Sequence, residues 1–150
     1  MDHSPGFLKL VEETRPRVRE CGIDEVLRRQ AFGEPFHLVD VREDLEFAAD
    51  HAEGAVHIGR GVLERDVERL IPDKEADIVL YCGGGFRSVL AAESLQRMGY
   101  TRVCSMAGGI RAWRAAGYPM EAGGVAAPEI GAGDAREAAD PAPPEGGCGA

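Results

Sequence analysis

The chain has no apolar run long enough to span a membrane, and its opening, Met1-Asp2-His3-Ser4-Pro5, lacks the basic-then-apolar pattern of a secretory leader. A soluble cytoplasmic protein is the expectation. Cysteine is scarce and scattered: Cys21, Cys82, Cys104 and Cys148 form no C-x-x-C pair, so neither a zinc site nor a disulfide framework is signalled. An excess of positive charge is missing too. The formal net charge of −9 argues against nucleic acid as a partner. No G-x-G-x-x-G spacing occurs, which leaves no case for a dinucleotide site. No heptad pattern is present to fix an oligomeric state.

What the chain does have is enough apolar material for one core. Of its 150 residues, 44% are hydrophobic and 29% charged, the balance of a single globular domain. Three parts are expected: an N-terminal helical extension over residues 1–19, a folded domain over 20–120, and a Gly/Ala/Pro-rich tail over 121–150. The tail carries six acids (Glu121, Glu129, Asp134, Glu137, Asp140, Glu145) against Arg136 alone, more than half of the excess negative charge. Val125 and Ile130 are its large apolar residues. Such a segment buries too little to offset its ordering entropy and is read as disordered.

Before the tail, helical and strand patterns alternate. Helices are predicted over 7–13, with Pro16 as a breaker, and over 23–30, both covering one edge of a sheet. Strand 36–41, helix 44–49 and a short strand 55–58 form a βαβ unit. Helix 62–71, strand 78–81, helix 88–98, strand 103–106 and helix 110–116 follow. Strands separated by helices imply an α/β fold with a mainly parallel sheet and helices on both faces, which binds ligands at the carboxyl ends of its strands.

Cys82 stands at one of those ends. The segment Cys82-Gly-Gly-Gly-Phe-Arg-Ser88 joins strand 78–81 to the next helix. Glycines let the backbone bend tightly and aim several N–H groups at one point, and the helix adds unpaired donors and the positive end of its dipole. Those donors, with Arg87 as a neighbouring cation, favour thiolate over thiol. A nucleophile in an anion-binding cradle is the outcome.

The order Leu38-Val-Asp-Val-Arg42, His51-Ala-Glu-Gly-Ala55, Tyr81-Cys-Gly-Gly-Gly-Phe-Arg-Ser88, Gly99-Tyr100 and Gly108-Gly-Ile-Arg-Ala-Trp113 resembles the rhodanese-like domain of single-domain sulfurtransferases. The likeness covers roughly residues 20–120. It implies the three-layer rhodanese fold with a central sheet of about five strands. It also implies that Cys82 accepts a sulfane sulfur as a persulfide and passes it on. Thiosulfate or a persulfide is the implied donor, and cyanide or a thiol, small or carried on a protein, the implied acceptor. Gly83, Gly84, Gly85, Phe86, Arg87 and Ser88 are then the substrate-binding loop. No metal or organic cofactor is called for, since sulfur itself accepts and leaves. A persulfide-relay or regulatory module is the alternative within the same resemblance.

Loop length distinguishes this chemistry from a phosphatase or arsenate reductase. The related C-x5-R loop clamps an oxyanion with arginine; here the spacing is C-x4-R and Ser88 stands where the clamp would fall. Asp40 and Arg42, at the end of a strand, are supporting candidates, either orienting the loop and steering anions or making structural ion pairs. His51 reads as a turn or helix-end residue, since a thiolate held by its loop needs no base. His57 reads as a core or edge residue, and Trp113 as a packing anchor. Phe86 either walls the pocket or packs. Cys104 reads as an inert buried thiol and Cys21 carries no chemical signal. Cys148 is either a plain tail residue or a resolving thiol for the Cys82 persulfide. A flexible chain of that length has an r.m.s. span on the order of 30 Å, so reach is no obstacle.

Overall fold

Three four-residue strands, β2 (His37–Asp40), β5 (Ile78–Tyr81) and β6 (Val103–Met106), are buried almost throughout, as strands of a parallel sheet covered on both faces must be. A computed structural model describes residues 2–124. Of the tail read as disordered over 121–150, residues 125–150 lie outside the described residues, as does the resolving role considered for Cys148, while Glu121 is paired in a short strand with His51. Within them the element order is α1 (Pro5–Thr14), a single 3-10 turn at Arg15–Arg17, β1 (Glu20–Cys21), α2 (Ile23–Ala31), β2, α3 (Asp44–Ala49), β3 (His51–Ala52), β4 (Val56–His57), α4 (Leu63–Leu70), β5, α5 (Arg87–Arg97), β6, α6 (Gly109–Ala115) and β7 (Met120–Glu121).

The main sheet is five-stranded, wholly parallel, in the order β1-β6-β5-β2-β4. A second, antiparallel pair joins β3 to β7. Strand periodicity sends alternate side chains to two cores. Val39, Val41, Ile78, Leu80 and Val103 face α4 and α5, meeting Leu63, Val67, Ala92 and Leu95. Leu38, Val79, Tyr81, Cys104 and Met106 face α2 and α6, meeting Val26, Ile110 and Trp113. Three layers result.

The two N-terminal helices do not share one edge, as the sequence pattern suggested. Helix α1 packs on α5 and α2 packs against α6, on opposite sides of the sheet. Amphipathic periodicity shows that a helix has a buried face but not which layer receives it. Strands β1, β3 and β7 have two residues each, too short for any alternation to be read. The expected strand 55–58 is confined to Val56–His57. Trp113 is fully buried, with its Nε1–H donating to Pro119 O at 2.9 Å, and acts as the packing anchor.

Asp40, the last residue of β2, is wholly buried, and Arg42 nearly so. Arg42 Nε and Nη2 donate to the Asp40 carboxylate at 2.8–3.1 Å, Arg42 N–H donates to Asp40 Oδ1 at 2.9 Å, and Nη2 also reaches Asp50 O at 2.6 Å. The pair thus ties the carboxyl end of β2 to the end of α3. Burial first, then the Asp40 charge, pushes the neighbouring Tyr81 hydroxyl up, so it stays protonated while accepting Ala52 N–H at 3.1 Å. Removing one partner of a buried ion pair leaves the other charge uncompensated. Asp40→Ala is therefore expected to lower unfolding free energy by about 3–5 kcal/mol, measured by urea denaturation.

Candidate active site

Cys82 lies on the floor of a cavity of about 470 Å³ at the carboxyl end of β5, with only 1% of its surface exposed. Two backbone donors converge on its sulfur: Gly85 N–H at 3.2 Å and Ser88 N–H at 3.4 Å. The Ser88 hydroxyl, wholly buried, stands 3.5 Å from Sγ and hydrogen-bonds the Ser105 hydroxyl at 2.8 Å. Such donors stabilise negative charge at the sulfur without reorganising. Amides of the loop therefore supply the cradle that the glycine-rich spacing implied.

Helix α6 anchors the start of the reactive loop. Its first turn donates Ile110 N–H to Cys82 O at 2.9 Å and Arg111 N–H to Gly83 O at 3.1 Å, which engages the first two carbonyls of the loop. So close an approach requires glycine at two places. A Cβ on Gly109 (φ +55°) would stand 2.5 Å from Cys82 O, and one on Gly85 (φ +92°) 3.1 Å from Gly108 N. Both also hold backbone angles that favour glycine.

Arg87 opens α5 and lines the cavity, but its guanidinium forms a two-pronged ion pair with Glu46 of α3, Nη1–Oε1 2.9 Å and Nη2–Oε2 3.2 Å. Its positive charge is thereby shared with a carboxylate 41 residues away in sequence. The Arg87 hydrogen bond holds the Glu46 carboxyl below its ordinary range. Glu46 also closes a capping box, accepting Glu43 N–H at 3.2 Å. Sequence reasoning missed Glu46, although the Glu43–Glu46 capping spacing was a signal that this residue faces the start of α3.

The rim brings together residues from distant segments. Phe86 lines the cavity and meets the N-terminal segment: the His3 ring lies 4.5 Å and the Phe7 ring 6.3 Å from it, centroid to centroid, and Arg15 Cζ sits 5.5 Å from the ring centre. It both walls the pocket and packs. Arg111 and Arg114 of α6 complete the rim. Arg42 lines it as well, paired with Asp40, so those two supporting candidates occupy one buried ion pair beside the cavity.

Other candidates lie elsewhere. His51 Nδ1 lies 2.9 Å from Phe47 O at the end of α3, the helix-end role expected of it. With the stacked Phe47 and His57, it borders a separate cavity of about 760 Å³ that contains no cysteine. His57 Nε2 lies 2.7 Å from Arg42 O on the edge strand. Cys21 and Cys104 are buried and meet each other, sulfur to sulfur at 3.0 Å, across β1 and β6. Neither touches the Cys82 cavity.

A parallel sheet with a buried cysteine at a strand end, its sulfur met by two backbone donors, defines an α/β domain that holds a thiol in a cradle of amides. The chain belongs to the rhodanese-like domain family, whose match spans residues 23–116. It is 34% identical over 130 residues to Protein HIGH ARSENIC CONTENT 1, mitochondrial, of Arabidopsis thaliana, covering 78% of this chain and 75% of that protein. It is 32% identical to a sulfurtransferase of Allochromatium vinosum, covering 70% of this chain and 96% of the relative. Among solved structures, human single domain sulfurtransferase TSTD1 aligns with a TM-score of 0.60 and 27% identity, covering 65% of this chain and 96% of that one. These likenesses support sulfurtransferase activity in general terms, with a sulfur donor and an acceptor as its partners. Among the described residues, no helix is long and apolar enough to cross a membrane.

Two expectations follow from this geometry. Gly109→Ala forces a methyl group into the Cys82 and Gly83 carbonyls, so the loop must shift; the rate at which iodoacetamide alkylates Cys82 is expected to fall at least several-fold, followed by peptide mass. Because the folded pKa of Glu46 is depressed, the stability from its pairing with Arg87 is present above the ordinary glutamate value of about 4.3 and is lost as pH falls through the lowered value. The stability gap between the native chain and Glu46→Gln should therefore shrink on acidification, as read by thermal melts from pH 7 downward.

Proposed function

We propose that this chain moves a sulfane sulfur from thiosulfate or a persulfide donor to a thiol or cyanide acceptor through a persulfide on Cys82. The observation that carries this reading is the position of Cys82 Sγ, on the floor of a cavity with Gly85 and Ser88 N–H groups aimed at it. In the first half-reaction the thiolate attacks the outer sulfur of the donor. A new Sγ–S bond forms, the donor S–S bond breaks, and sulfite or a thiolate leaves with the electron pair. The Cys82 persulfide carries the negative charge on its terminal sulfur, where the loop donors meet it. In the second half-reaction an acceptor nucleophile attacks that terminal sulfur, the Sγ–S bond breaks, and the Cys82 thiolate returns with the pair. Acceptor thiol becomes persulfide, and cyanide becomes thiocyanate.

Gly83, Gly84, Gly85, Phe86, Arg87 and Ser88 form the binding loop in this reading. Asp40 and Arg42 support it from behind, by fixing the end of β2. Ser88 argues against oxyanion-ester chemistry: the position where a C-x5-R loop carries its arginine is a buried hydroxyl engaged with Ser105. The protein is read as cytoplasmic, with a small sulfur anion or persulfide as donor and no nucleic acid or membrane partner.

The deciding experiment is intact mass of the reduced protein after thiosulfate treatment, beside Cys82→Ser. Gain of one sulfur atom by the native chain and none by the variant is the expected outcome. Uptake by both would place the acceptor sulfur on another cysteine and overturn the assignment.

A further inference from the structure

Sulfane donors such as thiosulfate are anions, and the nucleophile that meets them is an anion too, so the cavity needs a cation that is not already neutralised. Four arginines line it: Arg42, Arg87, Arg111 and Arg114. Three of them are committed. Arg42 is paired with Asp40 at 2.8 Å, Arg87 with Glu46 at 2.9 Å and Arg114 with Asp50 at 2.7 Å. Arg15, over the outer face of Phe86, is paired with Glu12 and Glu20. Among the described residues, the Arg111 guanidinium has no carboxylate partner. Glu46 is the one acid lining the cavity, and Arg87 already answers its charge.

Arg111 is also held in place for the task. Its backbone N–H donates to Gly83 O at 3.1 Å, which fixes its Cα to the reactive loop. Its side chain then folds over that loop: a methyl group at Gly84 would lie 3.8 Å from Nη1 and 3.6 Å from the Phe86 ring. A planar fork of donors thus lines the same cavity as Cys82, beside Gly84 of the reactive loop. Such a fork matches the oxygens of a sulfonate or carboxylate.

We infer that Arg111 is the specificity-determining residue for anionic donors, holding the charged end of the donor at the rim while its sulfane sulfur meets Cys82. This rests on the sulfurtransferase reading above. During transfer the Sγ–S bond forms as the donor S–S bond breaks, and the electron pair and charge leave on the sulfite or carboxylate-bearing thiolate that Arg111 holds. Arg111 contacts the donor before and during the step alike, so its loss raises KM more than it lowers kcat. Arg87, paired with Glu46, shapes the loop and contributes little to the choice between charged and neutral donors.

The test compares two alkylating reagents of nearly equal size, iodoacetate and iodoacetamide, which differ in charge. Rates at Cys82 are followed by peptide mass at low ionic strength, for the native chain, Arg111→Ala, Arg111→Gln and Arg111→Lys. Loss of the guanidinium should slow iodoacetate by on the order of ten-fold while leaving iodoacetamide unchanged, and lysine should restore part of the preference. Thiosulfate uptake by Arg111→Ala should show the same loss, in KM. Equal slowing by both reagents would mean that Arg111 acts on the thiolate or the loop and would overturn the inference, as would an unchanged ratio. If the native chain takes no sulfur from any donor yet prefers iodoacetate through Arg111, the sulfurtransferase reading falls while the anion-selecting role of Arg111 stands.

Discussion

Two hydrogen bonds from the first turn of α6, Ile110 N–H to Cys82 O and Arg111 N–H to Gly83 O, set the direction of the reactive loop. They engage the carbonyls of Cys82 and Gly83 and so fix the start of the loop whose later amides, Gly85 and Ser88 N–H, meet the sulfur. Their short reach depends on Gly109, whose missing side chain leaves room for the two carbonyls. The parallel sheet supplies the frame, since β5 and β6 run side by side and deliver the Cys82 loop and α6 to the same end. A buried ion pair between Asp40 and Arg42 holds the adjoining end of β2.

Charge around the site is mostly cancelled in pairs. Acidic residues on α3 and at its end take up Arg87 and Arg114, and the strand-end Asp40 takes up Arg42. The field felt by an incoming anion therefore comes from backbone amides and from Arg111, on a protein whose net charge is −9. Steering from a distance is weak under those conditions, and selection happens at contact. The N-terminal segment adds an aromatic wall through His3 and Phe7 against Phe86, so α1, outside the residues matched to the family, takes part in shaping the cavity.

Much of this was legible in the order of residues. Apolar runs at 78–81 and 103–106 are buried strands as read, and the helices after them begin within a residue of their expected starts. His51 and Trp113 have the structural roles that their settings suggested. The layer assignment of α1 and α2 was not legible, because periodicity marks a buried face without naming what buries it. The two-residue strands β1, β3 and β7 left no pattern at all. Arg87 was read as a cation beside the sulfur, without its partner Glu46, because that partner lies on another helix, and Cys21 and Cys104 were read singly because their contact spans two strands.

By itself the sequence determined the local chemistry: a cysteine at a strand end, glycines able to turn amides toward it, a helix start immediately after, and a loop one residue shorter than that of an arginine-clamped oxyanion site. Those features depend on neighbours in the chain. Only the tertiary structure decided which arginines keep their charge available, which helix holds the loop carbonyls and which segment roofs the cavity. Each of those depends on groups brought within a few ångströms by packing, and electrostatic and hydrogen-bond energies are set by that separation and not by distance along the chain.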